Sequence, residues 1–273
     1  MKIKLLIVGK KSFIGSNIYN SLKKKYLIKI FNFKELLQKN NKEIDKFNYI
    51  INCTTNKNYI KSKYKPINDF DLILAKKIKD LKIKYFFLST RKVYKPKFNI
   101  KENNLLKPQC NYSHNKLITE FKIKKILNKR LTILRISNLI GPPVKNINKK
   151  LHFTFIDHFF YNIKKQTIYD NGNVYKDFLS IDKFCEILDQ IIINKLSGTY
   201  NVSIGKKIYL NNLIEWLNFY NKNVIFYKKM DKKLNKDCFT LNNTKLMRDT
   251  KLKNRIIDLK NYSKKLSKKY FIK

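Results

Sequence analysis

The sequence contains few of the residues that support a disulfide framework, a metal knuckle or a membrane anchor. Its 273 residues include only six glycines, five prolines and four cysteines. The cysteines lie far apart without a C-x-x-C pair, which argues against disulfides and a zinc site. No run reaches the roughly 18 apolar residues of a membrane span, and the apolar start is too short for a signal peptide. We therefore expect a cytoplasmic protein with reduced thiols, no metal and no membrane attachment.

Acidic residues are also scarce, so the chain is strongly basic. Asp and Glu number 19 against 61 Lys and Arg, which gives a net charge of +42. Such a charge is typical of proteins that bind nucleic acids or anionic membranes. However, only five of the basic residues are Arg, and the lysines are spread along the chain, whereas specific nucleic-acid readers use Arg's bidentate fork. We attribute much of the bias to genome base composition and expect no nucleic-acid partner.

The order of apolar segments predicts an α/β fold. Short apolar strands alternate with helical periodicity, which is typical of βαβ units on a parallel sheet. The predicted strands are Ile3–Val8, Tyr26–Phe31, Tyr49–Cys53, Tyr85–Leu88 and Leu131–Ile136. The predicted helices are Ile14–Lys25, Leu72–Leu81, Tyr112–Asn128, Phe153–Lys164, Ile181–Ile193 and Leu210–Phe219. We predict a Rossmann-like, doubly wound parallel sheet in residues 1–140. Residues 141–273 would form a small substrate-binding lobe interleaved with the last sheet elements, ending in a weakly docked Lys-rich terminus after Asn254.

A glycine-containing turn joins the first predicted strand to the first predicted helix. It reads Gly9-Lys-Lys-Ser-Phe-Ile-Gly15, with Ser12 at the middle position. At such a junction, backbone amides and the helix N-terminus can bind a pyrophosphate. A turn of this kind also occurs without any ligand, but its place at the first strand–helix junction favours a nucleotide site.

A second candidate feature is a Tyr–Lys pair on one helix face. Tyr112 and Lys116 are four residues apart, and such neighbours lie one turn apart on a helix. A nearby ammonium favours the phenolate, so Lys116 is expected to bring the pKa of Tyr112 from ~10 toward neutrality. A phenol tuned in this way can transfer a proton. Because Lys and Tyr are abundant here, the pair can also arise by chance.

Hydroxyl groups follow the fourth predicted strand, at Ser89 and Thr90. Ligands of open α/β sheets bind at the carboxyl ends of the strands, although Ser and Thr also simply terminate strands. Only the order of the three features, which are the turn, the strand-end hydroxyls and the Tyr-x-x-x-Lys helix, makes chance a poor explanation.

In this order the motifs resemble the extended short-chain dehydrogenases/reductases, the NAD-dependent epimerase/dehydratase family. The resemblance covers nearly the whole chain. It rests on Gly9–Gly15, Ser89–Tyr94, Tyr112–Lys116, Arg135–Pro142, Lys176–Asp182, Tyr200–Val202 and Asn243–Leu246. It implies an enzyme that binds a nicotinamide cofactor and a nucleotide sugar, with a role in cell-surface polysaccharide synthesis, and it is compatible with a homodimer.

The resemblance also implies roles for individual residues. Thr90, three residues before the Val of the Val93-Tyr94 pair, would hold the substrate oxygen, with Tyr112 as acid/base and Lys116 on the nicotinamide ribose. Asn138 would lie beside the sugar, and Lys176, in place of the family's usual Arg, would contact the substrate's pyrophosphate. The implied cofactor-binding residues are Gly9, Lys10, Lys11, Ser12, Phe13, Ile14, Gly15, Asn32, Cys53, Thr54, Tyr112 and Lys116.

Departures from the family pattern narrow the range of reactions that the chain is expected to catalyse. Arg91 and Lys92 stand where nucleotide-sugar 4,6-dehydratases have an acidic pair, which argues against dehydration. The short chain is most similar to dTDP-4-dehydrorhamnose reductase and related 4-keto sugar reductases. An epimerase remains the alternative, since it needs the same Thr, Tyr and Lys. A more remote alternative is a non-catalytic NADP-sensing or nucleic-acid-binding relative, suggested by the net charge and by Ser12 at a family glycine.

The end of the second strand bears on the choice of cofactor. The segment from Ile30 to Lys34 lacks the Asp or Glu that usually accepts the ribose hydroxyls of NAD, and Asn32 stands there instead. Lys10, Lys11 and Lys34 can receive a 2′-phosphate. We therefore expect NADPH to be favoured, with NAD as the alternative.

Overall fold

The computed structural model describes residues 2–9, 11–142, 155–170, 172–223, 225–229 and 237–272. Its strands are β1 Lys4–Val8, β2 Leu27–Phe31, β3 Tyr49–Asn52, β4 Lys84–Thr90, β5 Leu131–Ile136, β6 Asn138–Ile140, β7 Thr167–Asp170, β8 Tyr175–Lys176, β9 Phe178–Ser180, β10 Gly198–Val202, β11 Ile208–Tyr209 and β12 Phe226–Lys229. Its helices are α1 Phe13–Leu22, α2 Phe33–Gln38, α3 Asn41–Ile44, α4 Lys57–Lys61, α5 Phe70–Lys77, α6 Asn111–Leu127, α7 Phe155–Lys164, α8 Ile181–Ile193, α9 Leu210–Asn218, α10 Thr244–Thr250 and α11 Ile256–Phe271.

The central sheet has six parallel strands in the order β10, β5, β4, β3, β1, β2. The four inner strands, β5, β4, β3 and β1, are buried and mostly apolar because helices cover both faces of the sheet. The chain passes outward from β1 to β2 and then returns to β3 on the other side of β1. The carboxyl ends of β1 and β3 therefore border the crevice where open α/β sheets bind ligands. The predicted Rossmann-like α/β fold is confirmed.

Side-chain alternation along each strand divides the core into two layers. Phe86 is buried in the cluster that includes Ile18 of α1 and Ile187 of α8. Its neighbour Phe87 is buried on the opposite face with residues of α5 and α6 such as Ile123. The helix that carries the candidate Tyr–Lys pair, α6, is thereby held against the end of β4.

Three short helices, α2, α3 and α4, have no counterpart among the predicted elements. Each begins directly after an Asn, at Asn32, Asn40 and Asn56, whose side chain accepts a bond from a backbone amide of the first turn. In α2 and α3 a Glu three residues later bonds back to the Asn amide, which completes a capping box. These helices are too short for a hydrophobic period to reveal them, but the N-x-x-E spacing was a usable signal.

The prediction of a weakly docked terminus after Asn254 is wrong. Residues 256–271 form α11, which packs against α9. Leu259 and Leu266 are buried, and the Ser267 hydroxyl accepts a hydrogen bond from the Tyr220 amide at 3.0 Å. The apolar and small residues recur at helical spacing, and the lysines between them occupy the other face. The high lysine content of the segment therefore obscures its amphipathic period.

Candidate active site

The glycine turn closes on itself through Ser12. Gly9 has φ of +117°, a conformation that favours glycine, and its amide bonds to the Phe31 carbonyl at 2.8 Å. The Ser12 hydroxyl donates to the Gly9 carbonyl at 2.9 Å and accepts from the Gly15 amide at 3.0 Å, so it caps α1. A Cβ at Gly15 would lie 2.6 Å from that hydroxyl and 2.8 Å from the Gly9 carbonyl oxygen. Ser12 thus replaces a family glycine without opening the turn.

The other predicted turn residues can be placed relative to this cap. Phe13 and Ile14 form the start of α1, so the positive end of the helix is directed at the crevice. The Phe13 ring packs against Gly141, where an added Cβ would lie only 2.3 Å from the ring. Lys11 is exposed, and Lys10 lies outside the described residues. The turn retains the close backbone approach that a cofactor pyrophosphate requires.

The end of β3 packs against the same turn. A Cβ at Gly9 would lie 2.9 Å from the Thr54 methyl group and 3.3 Å from the Cys53 carbonyl carbon. The Thr54 hydroxyl donates to the Asn52 side-chain oxygen at 2.6 Å, which fixes this segment. Burial raises the pKa of the Cys53 thiol, which therefore stays neutral. Cys53 and Thr54 thus border the predicted cofactor crevice.

The end of β2 carries a carboxylate that the sequence analysis missed. The Asn32 side chain accepts from the Glu35 amide at 2.8 Å, and the Glu35 carboxylate accepts from the Asn32 amide at 2.9 Å. Asn32 is therefore engaged in capping α2. The negative charge of Glu35 therefore lies beside Asn32, at the strand end where the lack of an acidic residue was the reason to expect NADPH.

Lys116 is held in a buried ion pair that the sequence did not reveal. It is 4% exposed, and its ammonium lies 3.4 Å from the Asp71 carboxylate and 4.4 Å from the centre of the Phe87 ring. Asp71 also accepts from the Tyr85 hydroxyl at 2.7 Å and from the Asn52 amide group at 2.9 Å. Because Asn52 in turn accepts from Thr54, polar contacts run from Lys116 through Asp71 and Asn52 to Thr54, whose methyl group lies next to Gly9 of the glycine turn.

The prediction that Lys116 brings the pKa of Tyr112 toward neutrality is wrong. Tyr112, partly exposed in the first turn of α6, has a raised pKa, first because burial disfavours the phenolate. Lys116 acts in the lowering direction as expected, but Asp71 counteracts it. For Lys116 itself, burial disfavours the ammonium, but the attraction of Asp71, together with smaller contributions from Tyr112 and Asp69, exceeds this effect and raises the pKa. At neutral pH, Tyr112 is a protonated phenol beside a charged lysine.

The two strand-end hydroxyls have different surroundings. Ser89 donates to the buried carboxylate of Glu120, which forms an ion pair with Arg135 at 2.6 Å. Arg135 also donates to the Tyr94 hydroxyl at 2.7 Å. Thr90 lies at the carboxyl end of β4, where its hydroxyl accepts from the Lys92 amide at 3.2 Å. Ser89, Tyr94 and Arg135 thus form a buried scaffold, and Thr90 is the hydroxyl at the strand's end.

On the substrate side, two cations converge on one carboxylate. The Arg91 guanidinium makes two bonds of 2.6 Å to the Asp237 carboxylate, and the Lys176 ammonium lies 2.8 Å from the same group. The motif pattern predicts Lys176 as a binding residue, but nothing in the sequence marks Arg91 as one or Asp237 as their shared partner. The Asn138 side chain donates to the Asp177 carbonyl at 3.0 Å, so it is engaged with the chain beside Lys176.

Other site types find no support in the described part of the chain. Its His, Cys, Asp and Glu residues form no group of three that could hold a metal ion. None of its helices is long and apolar enough to cross a membrane. All four cysteines are free thiols.

Comparison with known proteins assigns the family. Residues 5–203 match the model of the NAD dependent epimerase/dehydratase family, which is more than half of the chain, and the chain belongs to this family. Its members are nicotinamide-dependent enzymes that act on nucleotide sugars. No curated protein sequence matches the chain significantly.

Solved structures with the same fold represent several reactions. A UDP-N-acetylglucosamine 4-epimerase from Methanobrevibacter ruminantium, in complex with UDP-N-acetylmuramic acid, shares 20% identity and a TM-score of 0.79 over 99% of both chains. RMD from Pseudomonas aeruginosa, complexed with NADPH, shares 16% identity and a TM-score of 0.79 over 99% of this chain and 98% of its own. A dTDP-4-dehydrorhamnose reductase from Clostridium acetobutylicum shares 16% identity and a TM-score of 0.73 over 95% and 98%. At these identities the likeness shows the fold alone.

Proposed function

We propose that the protein is a nicotinamide-dependent reductase of a 4-keto nucleotide sugar. The observation that carries this proposal is the chain of polar contacts from Lys116 through Asp71 and Asn52 to Thr54, whose methyl group packs against the glycine turn. It links the candidate proton-transfer helix to the candidate cofactor site within one crevice. The chain's similarity to structures that include a dTDP-4-dehydrorhamnose reductase supports the same assignment.

The glycine turn fits a dinucleotide. Gly9 and Gly15 leave no room for a Cβ, and the N-terminus of α1 faces the space between β1 and β3. When bound there, the nicotinamide supplies the hydride that is added to the carbonyl carbon of the sugar. Gly9, Ser12 to Gly15, Cys53 and Thr54 would hold the dinucleotide, with Lys116 on its ribose.

The remaining steps belong to the protein's own side chains. Reduction of a ketone needs a proton donor, and the raised pKa of Tyr112 keeps its phenol protonated at neutral pH. Tyr112 would give this proton to the carbonyl oxygen while the Thr90 hydroxyl donates a hydrogen bond to the developing alkoxide. The charged Lys116 would then stabilise the phenolate that remains.

The decisive experiment follows cofactor oxidation by absorbance with a panel of 4-keto nucleotide sugars. We expect turnover with at least one of them and a loss of about a hundredfold or more in the Tyr112→Phe variant, which keeps the ring and removes the proton. Tyr64→Phe, at a tyrosine that bonds Asp69 at 2.9 Å, is the matched control. Full activity of Tyr112→Phe would refute the assignment.

Epimerisation is the second candidate because an epimerase is among the structures that cover almost the whole chain. Both reactions require the same Tyr112, Lys116 and Thr90. They differ in cofactor balance: a reductase consumes one reduced cofactor per sugar, whereas an epimerase regenerates its cofactor in each cycle. Interconversion of a nucleotide sugar without net cofactor oxidation would select the epimerase.

Four finer assignments accompany the proposal. NADPH is favoured over NADH through Lys10, Lys11 and Lys34, against the opposing charge of Glu35. Residues 1–140 supply the cofactor side together with Thr90 and Asn138, and residues 141–273 supply the rest of the substrate side apart from β10, which joins the central sheet. Asn138 and Lys176 contact the nucleotide sugar, and the enzyme works as a homodimer or alone.

A further inference from the structure

Arg91, Lys176 and Asp237 form a cluster, here called the cationic cluster, that joins three separate parts of the chain. Arg91 follows the candidate catalytic Thr90, Lys176 ends β8, and Asp237 comes from the C-terminal part. The Arg91 guanidinium stacks on the Phe239 ring at 3.8 Å, and its side chain is 6% exposed. A cation this well fixed would keep its orientation when its partner changed.

The charges in the cluster do not balance. Two cations share one carboxylate, which leaves a net positive charge next to the end of β4. The Arg91 Nε is buried and has no hydrogen-bond partner among the described residues. Both oxygens of Asp237 are already used by the terminal nitrogens of Arg91. A ligand with more charge and more acceptor oxygens would suit these donors better than one carboxylate does.

Asp237 is the most replaceable member of the cluster. Its side chain is 39% exposed, compared with 6% for Arg91 and 23% for Lys176. Burial opposes its ionisation, but hydrogen bonds from Arg91 and Lys176 lower the pKa of Asp237 to about 2, so it is ionised at any neutral pH. Rotation of one partly exposed side chain is enough to free both cations.

We propose that Arg91 joins Lys176 in binding the diphosphate of the nucleotide substrate, and that the Asp237 carboxylate occupies this site until the substrate displaces it. This inference rests on the proposed function for the nature of the ligand. It adds Arg91 to the substrate site and makes Asp237 a competitor that weakens the binding of all diphosphates. Ligands with a single charge, which gain less from the two cations, would displace it less readily.

The test measures the binding of UDP, dTDP, GDP and inorganic pyrophosphate by calorimetry, with NADPH saturating so that the glycine turn is filled. Asp237→Asn is expected to tighten the binding of at least one nucleoside diphosphate about tenfold, because the competing charge is lost. Arg91→Gln is expected to weaken the same binding by a similar factor.

Asp258→Asn is the matched control. The Asp258 side chain is also 39% exposed and is also held by an arginine, Arg255, at 2.8 Å, but on the terminal helix. It reports the effect of simply removing one negative charge from the protein. Thermal melts show whether each variant is folded. If Arg91→Gln does not fold, Lys176→Gln serves as the second test.

Equal diphosphate affinity of Asp237→Asn and Asp258→Asn would overturn the inference. Weaker diphosphate binding by Asp237→Asn than by the unmodified protein would also overturn it, since Asp237 would then have a structural role in the site. Absence of diphosphate binding in every variant would overturn it too. The proposed function is judged separately by turnover of keto-sugars. Turnover that is insensitive to the cluster would overturn this inference alone, whereas diphosphate binding without turnover would overturn the reductase.

Discussion

Replacing Asp71 by Asn should change both the stability of the protein and the pH dependence of its chemistry. Asn has the same shape and keeps one acceptor oxygen, which can still accept from the Tyr85 hydroxyl and the Asn52 amide group. Its NH2 group takes the place of the oxygen that faces the Lys116 ammonium at 3.4 Å, so the substitution removes the negative charge and the acceptor of that ion pair. It therefore tests whether this charge sets the protonation of the candidate proton donor.

The expected loss of stability follows from the burial of the pair. The side chains of Lys116 and Asp71 are 5% and 7% exposed. At an effective dielectric constant of about 20, charges this far apart attract by about 5 kcal/mol. Removing one partner of a buried pair costs about 3–5 kcal/mol. Since Asn retains a hydrogen bond, we expect the free energy of unfolding to fall by about 3 kcal/mol.

The pH dependence has a definite sign. The folded-state pKa of Lys116 is raised above 10.5, so the pair's stabilisation is fully present at neutral pH and is lost only as the pH rises through that pKa. Asp71 also raises the pKa of Tyr112. In Asp71→Asn the phenol should therefore lose its proton at lower pH, and the alkaline fall of the reduction rate should move to lower pH.

Urea unfolding and pH–rate profiles measure these effects, with Asp69→Asn as control. Asp69 is also buried, but it accepts from Thr119 at 2.6 Å and from the Leu72 amide instead of Lys116. Asp69→Asn should lose stability without shifting the alkaline limb. In Asp71→Asn/Lys116→Met the total loss should be smaller than the sum of the single losses. Additive losses, or an unshifted alkaline limb in Asp71→Asn, would refute the coupling.

Three further predictions concern the glycine turn and the cofactor. Ser12→Ala removes the cap of α1 and should lower the free energy of unfolding by about 1 kcal/mol in chemical denaturation. Ser12→Gly should lower it by only about a few tenths of a kcal/mol. Gly15→Ala should abolish cofactor binding in fluorescence titrations, because its Cβ meets the Gly9 carbonyl oxygen at 2.8 Å, and retained affinity would contradict the turn geometry. NADPH should bind more tightly than NADH, with a preference that falls in Lys11→Ala and rises in Glu35→Gln; equal affinities in the unmodified protein would exclude an effect of the lysines.

The parts of the fold that were predictable are those with a strong local signal. Five of the six parallel strands are short apolar runs, and helices such as Ile181–Ile193 carry a full amphipathic period, so these elements were predicted from sequence. The sixth strand, β10, reads Gly-Thr-Tyr-Asn-Val and was not predicted, because it has no apolar run. The terminal helix was misjudged because its buried residues, such as Leu259 and Leu266, are outnumbered by lysines. The lysine-rich composition of this segment obscures the helical period of its few apolar residues.

The parts of the site that were not predictable depend on contacts between distant segments. Tyr112 and Lys116 were found because their spacing is local, but Asp71 lies 45 residues before Lys116. Asp237 lies 146 residues after Arg91. Nothing in the neighbourhood of either acid marks it as a partner. The error in the predicted pKa of Tyr112 has the same origin, since neither the burial that disfavours its phenolate nor the charge of Asp71 is visible in the local sequence.

The distribution of the rare arginines supports a special role for Arg91. In a chain of many lysines, a lysine suffices wherever only a point charge is needed, but a planar fork with several donors requires arginine. Arg135 uses its fork on Glu120 and Tyr94, and Arg130 uses its fork on the backbone carbonyls that follow α5. Arg91 is equally buried and equally bidentate, yet its acceptor is a partly exposed carboxylate. A fork this well supported, but paired with a displaceable group, is what a diphosphate site needs before its substrate arrives.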